Sequence, residues 1–223
     1  MNSVRRRFVR SVVLIAAIAA PVGRAVAGSD TDFFRAVNVD DVDAVRDLLA
    51  RGFDPNAVDS KGNSALYLAL RYQSLKVARL LIDDPHIHLD QLNPAGENAL
   101  MIASLQGDLD IVKLMVAKGA EINKPGWTPL AYAASKGHTD VVRFLLDHSA
   151  YIDAAAPNGT TPLMMAAYFG YGSTVDALLD AGADPRLKNA FGYNAANLAM
   201  QRGHADIAKT IARAMAKDRP AGW

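Results

Sequence analysis

The sequence predicts an all-α solenoid in which short helix–turn–helix units stack side by side, with a projecting β-turn finger between successive units. Two observations carry this prediction: an apolar motif recurs with a period of about 33 residues, and glycines recur at fixed positions within that period. The composition agrees, since 51% of the 223 residues are hydrophobic and 21% are charged, which is typical of a globular chain. Neighbouring units are therefore expected to bury a shared core.

Residues 1–27 are predicted to be a cleavable export signal. A basic segment that ends at Arg10 precedes an apolar stretch of 13 residues, and small residues surround the expected cleavage site between Ala27 and Gly28. Thirteen residues are too few for a membrane-spanning helix, which needs roughly 20. The mature protein is therefore expected to be a bacterial periplasmic or secreted protein without a membrane span.

The basic segment also bears on the export route. Its sequence, Arg5-Arg6-Arg7-Phe8-Val9-Arg10, resembles the twin-arginine motif, in which two arginines precede any residue, Phe, a hydrophobe and a base. Val4 departs from the Ser or Thr usual before the pair, so twin-arginine and general secretory export both remain open. The chain has no cysteine, which excludes disulfides, thiolate metal sites and a cysteine nucleophile.

The charge balance argues against nucleic acid as a partner. The whole chain has 24 basic and 23 acidic residues, a formal net charge of +1. Residues 1–27 contain five arginines and no acid, so the rest has 19 basic residues against 23 acidic ones, a net charge of −4. A mildly acidic mature protein lacks the positive surface that binds phosphate backbones.

The repeat is clearest in two segments, Thr128-Pro129-Leu130 and Thr161-Pro162-Leu163. Threonine can cap a helix, and proline fits the first helical position. Each segment precedes an anchor alanine, and glycines such as Gly137 follow the first helix, where the turn favours positive φ. At these residues the chain resembles the ankyrin-repeat family, whose unit of about 33 residues has a Thr-Pro-Leu-His-x-Ala core. The anchor alanines, spaced by 33, 34, 30, 33 and 33 residues, are Ala36, Ala69, Ala103, Ala133, Ala166 and Ala199.

Six units form a predicted domain over 28–217, followed by a C-terminal tail over 218–223. Three residues are missing between Ala103 and Ala133, so the finger near Pro125 is expected to be short. The first unit lacks the Thr-Pro pair, and the last has a charged helix, as expected for capping units. The predicted unit bounds are about 30–58, 59–92, 93–123, 124–155, 156–188 and 189–217.

No catalytic motif is apparent, so the chain is predicted not to be an enzyme and to carry no cofactor. It has neither a phosphate-binding glycine loop nor a Gly-x-Ser-x-Gly nucleophile motif. His138 and His204 follow inter-helix glycines, where the family resemblance implies a structural hydrogen bond. His86 and His88 could offer a metal two imidazoles, but two ligands on one loop form a weak motif. No metal site is therefore assigned.

The resemblance implies where a partner would bind. Ankyrin proteins usually contact partners through the finger tips and the exposed ends of the first helices, which together form the concave face. In this sequence the corresponding positions are enriched in aromatic residues across units four to six, although aromatics make up only 7% of the chain. The candidate partner-binding residues are Arg71, Tyr72, Leu105, Gln106, Trp127, Lys136, Tyr168, Phe169, Phe191, Tyr193 and Arg202.

Two interpretations of these rings remain open. Large aromatics contribute most to binding when they close a dry interface, but they could instead fold back and pack the solenoid. We expect a monomeric, non-catalytic module that binds a partner protein through the concave face and the finger loops. Inhibition, scaffolding and stabilisation of a periplasmic enzyme are equally compatible with that surface. The alternatives are a self-associating structural protein of the cell envelope and, less favoured, a metal-dependent activity.

Overall fold

The structure is a computed structural model that describes residues 29–217, and over that range it contains twelve helices and one isolated β-bridge, Val58 to Ser64. The helices form six helix–turn–helix pairs, which confirms the predicted fold class. The predicted export signal over 1–27 and the tail over 218–223 lie outside the described residues. The first helices of the pairs, here called inner helices, are α1 (Ser29–Asn38), α3 (Ala65–Arg71), α5 (Ala99–Gln106), α7 (Pro129–Lys136), α9 (Pro162–Phe169) and α11 (Ala195–Gln201). The outer helices are α2 (Val42–Ala50), α4 (Leu75–Asp83), α6 (Leu109–Ala117), α8 (Thr139–Asp147), α10 (Gly172–Asp180) and α12 (Ala205–Lys217).

The helices lie in two layers. Each inner helix packs against the inner helices of the neighbouring units, and the outer helices form a second row in the same order. The core between the layers is one continuous cluster, as expected for stacked units. All six anchor alanines are buried in it, and in four units the leucine three residues before the alanine is buried as well. These leucines are Leu66, Leu100, Leu130 and Leu163.

The inner helices begin where the sequence predicts. The hydroxyl of Thr128 accepts a hydrogen bond from the backbone N–H of Ala131 at 3.2 Å, and that of Thr161 accepts one from Met164 at 3.3 Å. Other units use a different side chain for the same purpose, since short polar side chains satisfy the free N–H groups of a first turn. These caps are Ser64, Asn98 and Asn194.

In each of units one to four, the side chain of an asparagine or aspartate after the outer helix forms hydrogen bonds with the backbone of the next unit. Asn56 accepts from the N–H of His88 at 2.6 Å and donates to the carbonyl of His86 at 2.8 Å. Asn123 makes the same two bonds, with the N–H of Tyr151 and the carbonyl of Ser149, both at 2.8 Å. These side chains fix the spacing of units one to two and three to four.

In units two and four the equivalent residue is an aspartate, whose carboxylate accepts hydrogen bonds but cannot donate one. The carboxylate of Asp90 accepts from the N–H of Glu121 at 3.0 Å, and that of Asp153 accepts from Asp184 at 3.2 Å. Burial raises the pKa of Asp153, the N–H of Asp184 lowers it, and the Asp184 carboxylate raises it further, so the pKa lies above its usual value. The side chain of Asp153 therefore contributes only accepted hydrogen bonds between units four and five, whereas that of Asn123 both accepts and donates between units three and four.

Candidate functional site

The structure places the eleven predicted contact residues at the ends of inner helices and in the fingers. Eight of them are exposed, while Leu105, Trp127 and Tyr168 are half-buried. Among the rings, Phe191 is 72% exposed, Phe169 45% and Tyr193 40%. Phe191 is thus largely open to solvent, and Phe169 and Tyr193 are partly open to it. Binding by these residues stays a prediction.

Four of the five rings predicted in units four to six line one cavity between units five and six. This cavity, here called the aromatic cavity, has a volume of about 380 Å³, and the methionines of α9 contribute to its wall. The fifth ring, Trp127, lies one unit away with its ring edge-on to Tyr132, at 6.2 Å between centroids. The residues that define the cavity are Met164, Met165, Tyr168, Phe169, Phe191 and Tyr193.

The rings from α9 are held by local contacts. Tyr168 and Phe169 meet edge to face, with centroids 5.0 Å apart and planes at 86°. On the Tyr168 ring lies the guanidinium of Arg202, whose Cζ is 4.7 Å from the ring centroid. Edge-to-face and cation–π contacts are both favourable for aromatic rings. Tyr168 is therefore a fixed wall of the cavity, and Phe169 beside it stays accessible.

The backbone of the last finger is held by the side chain of Asn189, which the sequence analysis missed. Asn189 is buried, and its carbonyl oxygen accepts from the N–H groups of Phe191 and Tyr193, both at 3.0 Å. The finger is also tied to its neighbour, since the N–H of Ala190 donates to the carbonyl of Asn158 at 2.9 Å. A turn fixed in this way presents its rings with little loss of entropy on binding. An asparagine three residues before the turn glycine was the available signal.

Units two to four present a different, polar arrangement. The carboxylate of Glu97 accepts from the hydroxyl of Tyr67 at 2.7 Å, from that of Tyr132 at 2.6 Å and from the amide of Asn93 at 3.2 Å. Tyr67, Glu97 and Tyr132 belong to three successive units. We call these four residues the Glu97 network, which the sequence analysis did not predict.

Protonation in the Glu97 network follows from its contacts. Burial by itself raises the pKa of Glu97, but the hydrogen bonds from Tyr132, Tyr67 and Asn93, together with the charge of Arg71, lower it more, and the pKa lies below its usual value. Burial and the bond to Glu97 raise the pKa of Tyr132 and of Tyr67. The carboxylate of Glu97 is therefore negatively charged, and hydrogen bonds from within the chain already stabilise that charge.

The histidines lie at structural positions or on the surface. A ring nitrogen of His138 lies 3.0 Å from the carbonyl oxygen of Leu105, and the ring of His204 packs close to Gly170. His86 and His88 are exposed. No group of three potential metal ligands occurs among residues 29–217, and none of the helices in that range is long and apolar enough to cross a bilayer.

Comparison with known proteins places the fold. A family model described as ankyrin repeats (3 copies) matches residues 33–125 and 123–189. The chain belongs to the ankyrin-repeat family. Ankyrin repeats are generally protein–protein interaction modules, and the family is typically a non-catalytic scaffold.

Relatives of this ankyrin-repeat chain occur in bacteria and animals. The putative ankyrin repeat protein YahD of Escherichia coli (strain K12) is 30% identical over 189 residues, which cover 81% of this chain and 94% of the relative. The B-cell lymphoma 3 protein homolog of Mus musculus is 31% identical over 172 residues, 74% of this chain but 38% of that protein. A crystal structure of an ankyrin repeat domain from Acinetobacter baumannii AYE matches with a TM-score of 0.71 and 27% identity, covering 83% of this chain and 98% of that one.

Proposed function

We propose that this ankyrin-repeat protein is an exported, non-catalytic binding module that engages one partner protein through its concave face, with the aromatic cavity as the main contact. The observation that supports the proposal most is the exposure of Phe169, Phe191 and Tyr193 around one cavity. Leaving such rings in water forfeits the free energy of burying them, and large aromatics are enriched among the residues that dominate binding energy.

The rigidity of the site also supports a binding role. Asn189 holds the last finger by two backbone hydrogen bonds, and Arg202 lies on the Tyr168 ring. A pre-formed surface binds with less loss of conformational freedom than one that must become ordered. The partner is proposed to be a periplasmic enzyme that this chain inhibits, scaffolds or stabilises.

Export is a separate part of the proposal and has its own test. The basic segment, the apolar stretch and the small residues at Ala27 and Gly28 support cleavage after residue 27. N-terminal sequencing of protein purified from the envelope fraction is expected to begin at Gly28. Replacing Arg5 and Arg6 with lysine is expected to block export only if the twin-arginine route is used.

Site-specific cross-linking tests the binding proposal. A photo-reactive benzoylphenylalanine is placed at Phe191 in the native host, and the cross-linked product is identified by mass spectrometry. The matched control is the same residue at Tyr151, a ring 69% exposed that does not line the cavity. We expect one discrete protein partner from Phe191 and not from Tyr151. A product made of two copies of this chain would instead favour self-association.

A further inference from the structure

We propose that the partner presents an acidic segment to the aromatic cavity, with one large apolar side chain entering the cavity and carboxylates on either side pairing with Lys136 and Arg202. This inference rests on the proposed function of the concave face and adds the chemistry of its partner. It follows from the distribution of charge around the cavity.

In units two to six, acidic residues are unevenly distributed between the inner and the outer helices. Beyond residue 27 the chain has a net charge of −4, yet the inner helices α3, α5, α7, α9 and α11 contain no acidic residue. The outer helices contain acids throughout, for example Asp110, Asp140 and Asp176. On a protein that is negative as a whole, the exposed ends of three inner helices therefore carry a cation and no acid: Arg71 at α3, Lys136 at α7 and Arg202 at α11.

Two of these cations stand on either side of Phe169, one of the rings that line the cavity. Lys136, Phe169 and Arg202 occupy the same position in units four, five and six, three residues after the anchor alanine. Their helices α7, α9 and α11 pack side by side, so the three side chains form a row with Phe169 in the middle. Lys188 adds a third cation at the base of the last finger. Within residues 29–217, none of these three cations takes part in a salt bridge.

The cavity itself suits an uncharged side chain. None of the residues that line it is charged, and its walls are mainly rings and the methionines of α9. A volume of about 380 Å³ is at the small end of the roughly 300–1,000 Å³ typical of ligand pockets, enough for one or two side chains. Methionine side chains adapt their shape to different apolar guests.

A cationic guest is disfavoured although the walls are aromatic. Aromatic faces attract cations, but Arg202 already covers the face of Tyr168. Lys136 and Lys188 would add repulsion, whereas carboxylates beside the apolar anchor would be attracted to all three cations. The combination of an apolar cavity and unpaired cations on its rim therefore favours an acidic segment with an apolar anchor.

A random 12-residue peptide library displayed on phage tests the partner chemistry without knowledge of the partner. The purified protein is the bait, and the Phe191→Ala variant is used to remove peptides that bind elsewhere. We expect the retained peptides to be rich in Asp and Glu around one Trp, Phe, Leu or Met. Retained peptides that are neutral or basic would overturn the acidic partner while leaving the concave-face function intact. A selection without any peptide that depends on Phe191 would overturn both.

Variants of the rim separate charge from packing. Binding of an enriched synthetic peptide, measured by fluorescence anisotropy, is expected to weaken about 30-fold in Phe191→Ala and about tenfold in Lys136→Glu. Lys113→Glu on outer helix α6 is the matched control and is expected to change affinity less than about twofold, because exposed charges more than about 10 Å apart are largely screened at ordinary salt. Equal effects of the two lysine variants would show a general charge effect and overturn the assignment of Lys136 to the rim.

Discussion

The concave face has two regions that use the same scaffold positions in opposite ways. In the finger of unit three, the residue after the turn glycine Gly96 is Glu97. Its carboxylate accepts hydrogen bonds from Tyr67, Tyr132 and Asn93. In unit six the same position holds Tyr193, whose ring lines an open cavity. The repeat thus provides equivalent positions, and the side chain decides whether a position connects units or faces solvent.

This difference separates the side chains that stabilise the fold from the exposed side chains that are available for binding. Removing an exposed ring of the aromatic cavity, such as that of Phe191, should leave the fold intact, because most of the ring faces solvent. Removing Glu97 should weaken the fold, since three donors in three units lose their acceptor. Four predictions test this contrast, beginning with the largest expected effect.

The largest effect is expected on partner capture. Replacing Phe169 and Phe191 together with alanine is expected to reduce capture at least 100-fold, because each ring is expected to be a binding hot spot. The free energy of unfolding should fall by no more than about 1.5 kcal/mol, mainly through the lost edge-to-face contact of Phe169 with Tyr168. Cross-linking yield and urea unfolding followed by circular dichroism measure the two quantities. Loss of helical content would show instead that these rings pack the solenoid.

The second prediction concerns the Glu97 network. Glu97→Ala is expected to lower the free energy of unfolding by about 2 kcal/mol, because it leaves two tyrosine hydroxyls and an amide without their acceptor. The matched control is Glu121→Ala in the next finger; its side chain is 56% exposed, so its salt bridge to Lys124 is expected to contribute less than about 1 kcal/mol although the Lys124 side chain is mostly buried. Urea unfolding measures both. Similar losses in the two variants would contradict the special role of Glu97.

The third prediction is the pH dependence of that contribution. The pKa of Glu97 is lowered in the folded protein, so its stabilising effect is fully present above the pKa of the unfolded chain and is lost as the pH falls through the folded-state pKa. Glu97→Gln removes this titration. The stability difference between wild type and Glu97→Gln is therefore expected to shrink between pH 5 and pH 3. A difference that stays constant over this range would argue against a charged Glu97 in the folded state.

The sequence predicted the repeats better than the contacts between them. Helix starts at Thr128 and Thr161 and the buried anchor alanines follow from local rules of capping and size. The rings of the aromatic cavity were predicted as candidate contact residues, because Tyr168 and Phe169 end an inner helix and Phe191 and Tyr193 flank a finger glycine, but the cavity itself was not predicted. Trp127 did not join them, and it stands in the finger shortened by three residues. The Glu97 network was missed because its partners lie 30 and 35 residues away, and only side-chain directions bring them together.

The smallest expected effect lies at the boundary between the two regions. Asp153 connects unit four to unit five by accepting from the N–H of Asp184, whereas Asn123 connects units three and four with two bonds. Asp153→Asn should keep the accepted bond and gain a donor, raising the free energy of unfolding by about 1 kcal/mol at pH 7. The reverse change, Asn123→Asp, is the control and should lower it by a similar amount.

The pH dependence of Asp153→Asn fixes the cause of that gain. The pKa of Asp153 is raised in the folded protein, so its favourable contribution is present below the pKa of the unfolded chain and is lost as the pH rises through the folded-state pKa. The advantage of Asp153→Asn over wild type should therefore be larger at pH 7 than at pH 3, as measured by urea unfolding at both values. An equal advantage at the two values would assign the gain to the added amide donor alone. A loss of stability would show that the carboxylate at this position connects units four and five better than an amide does.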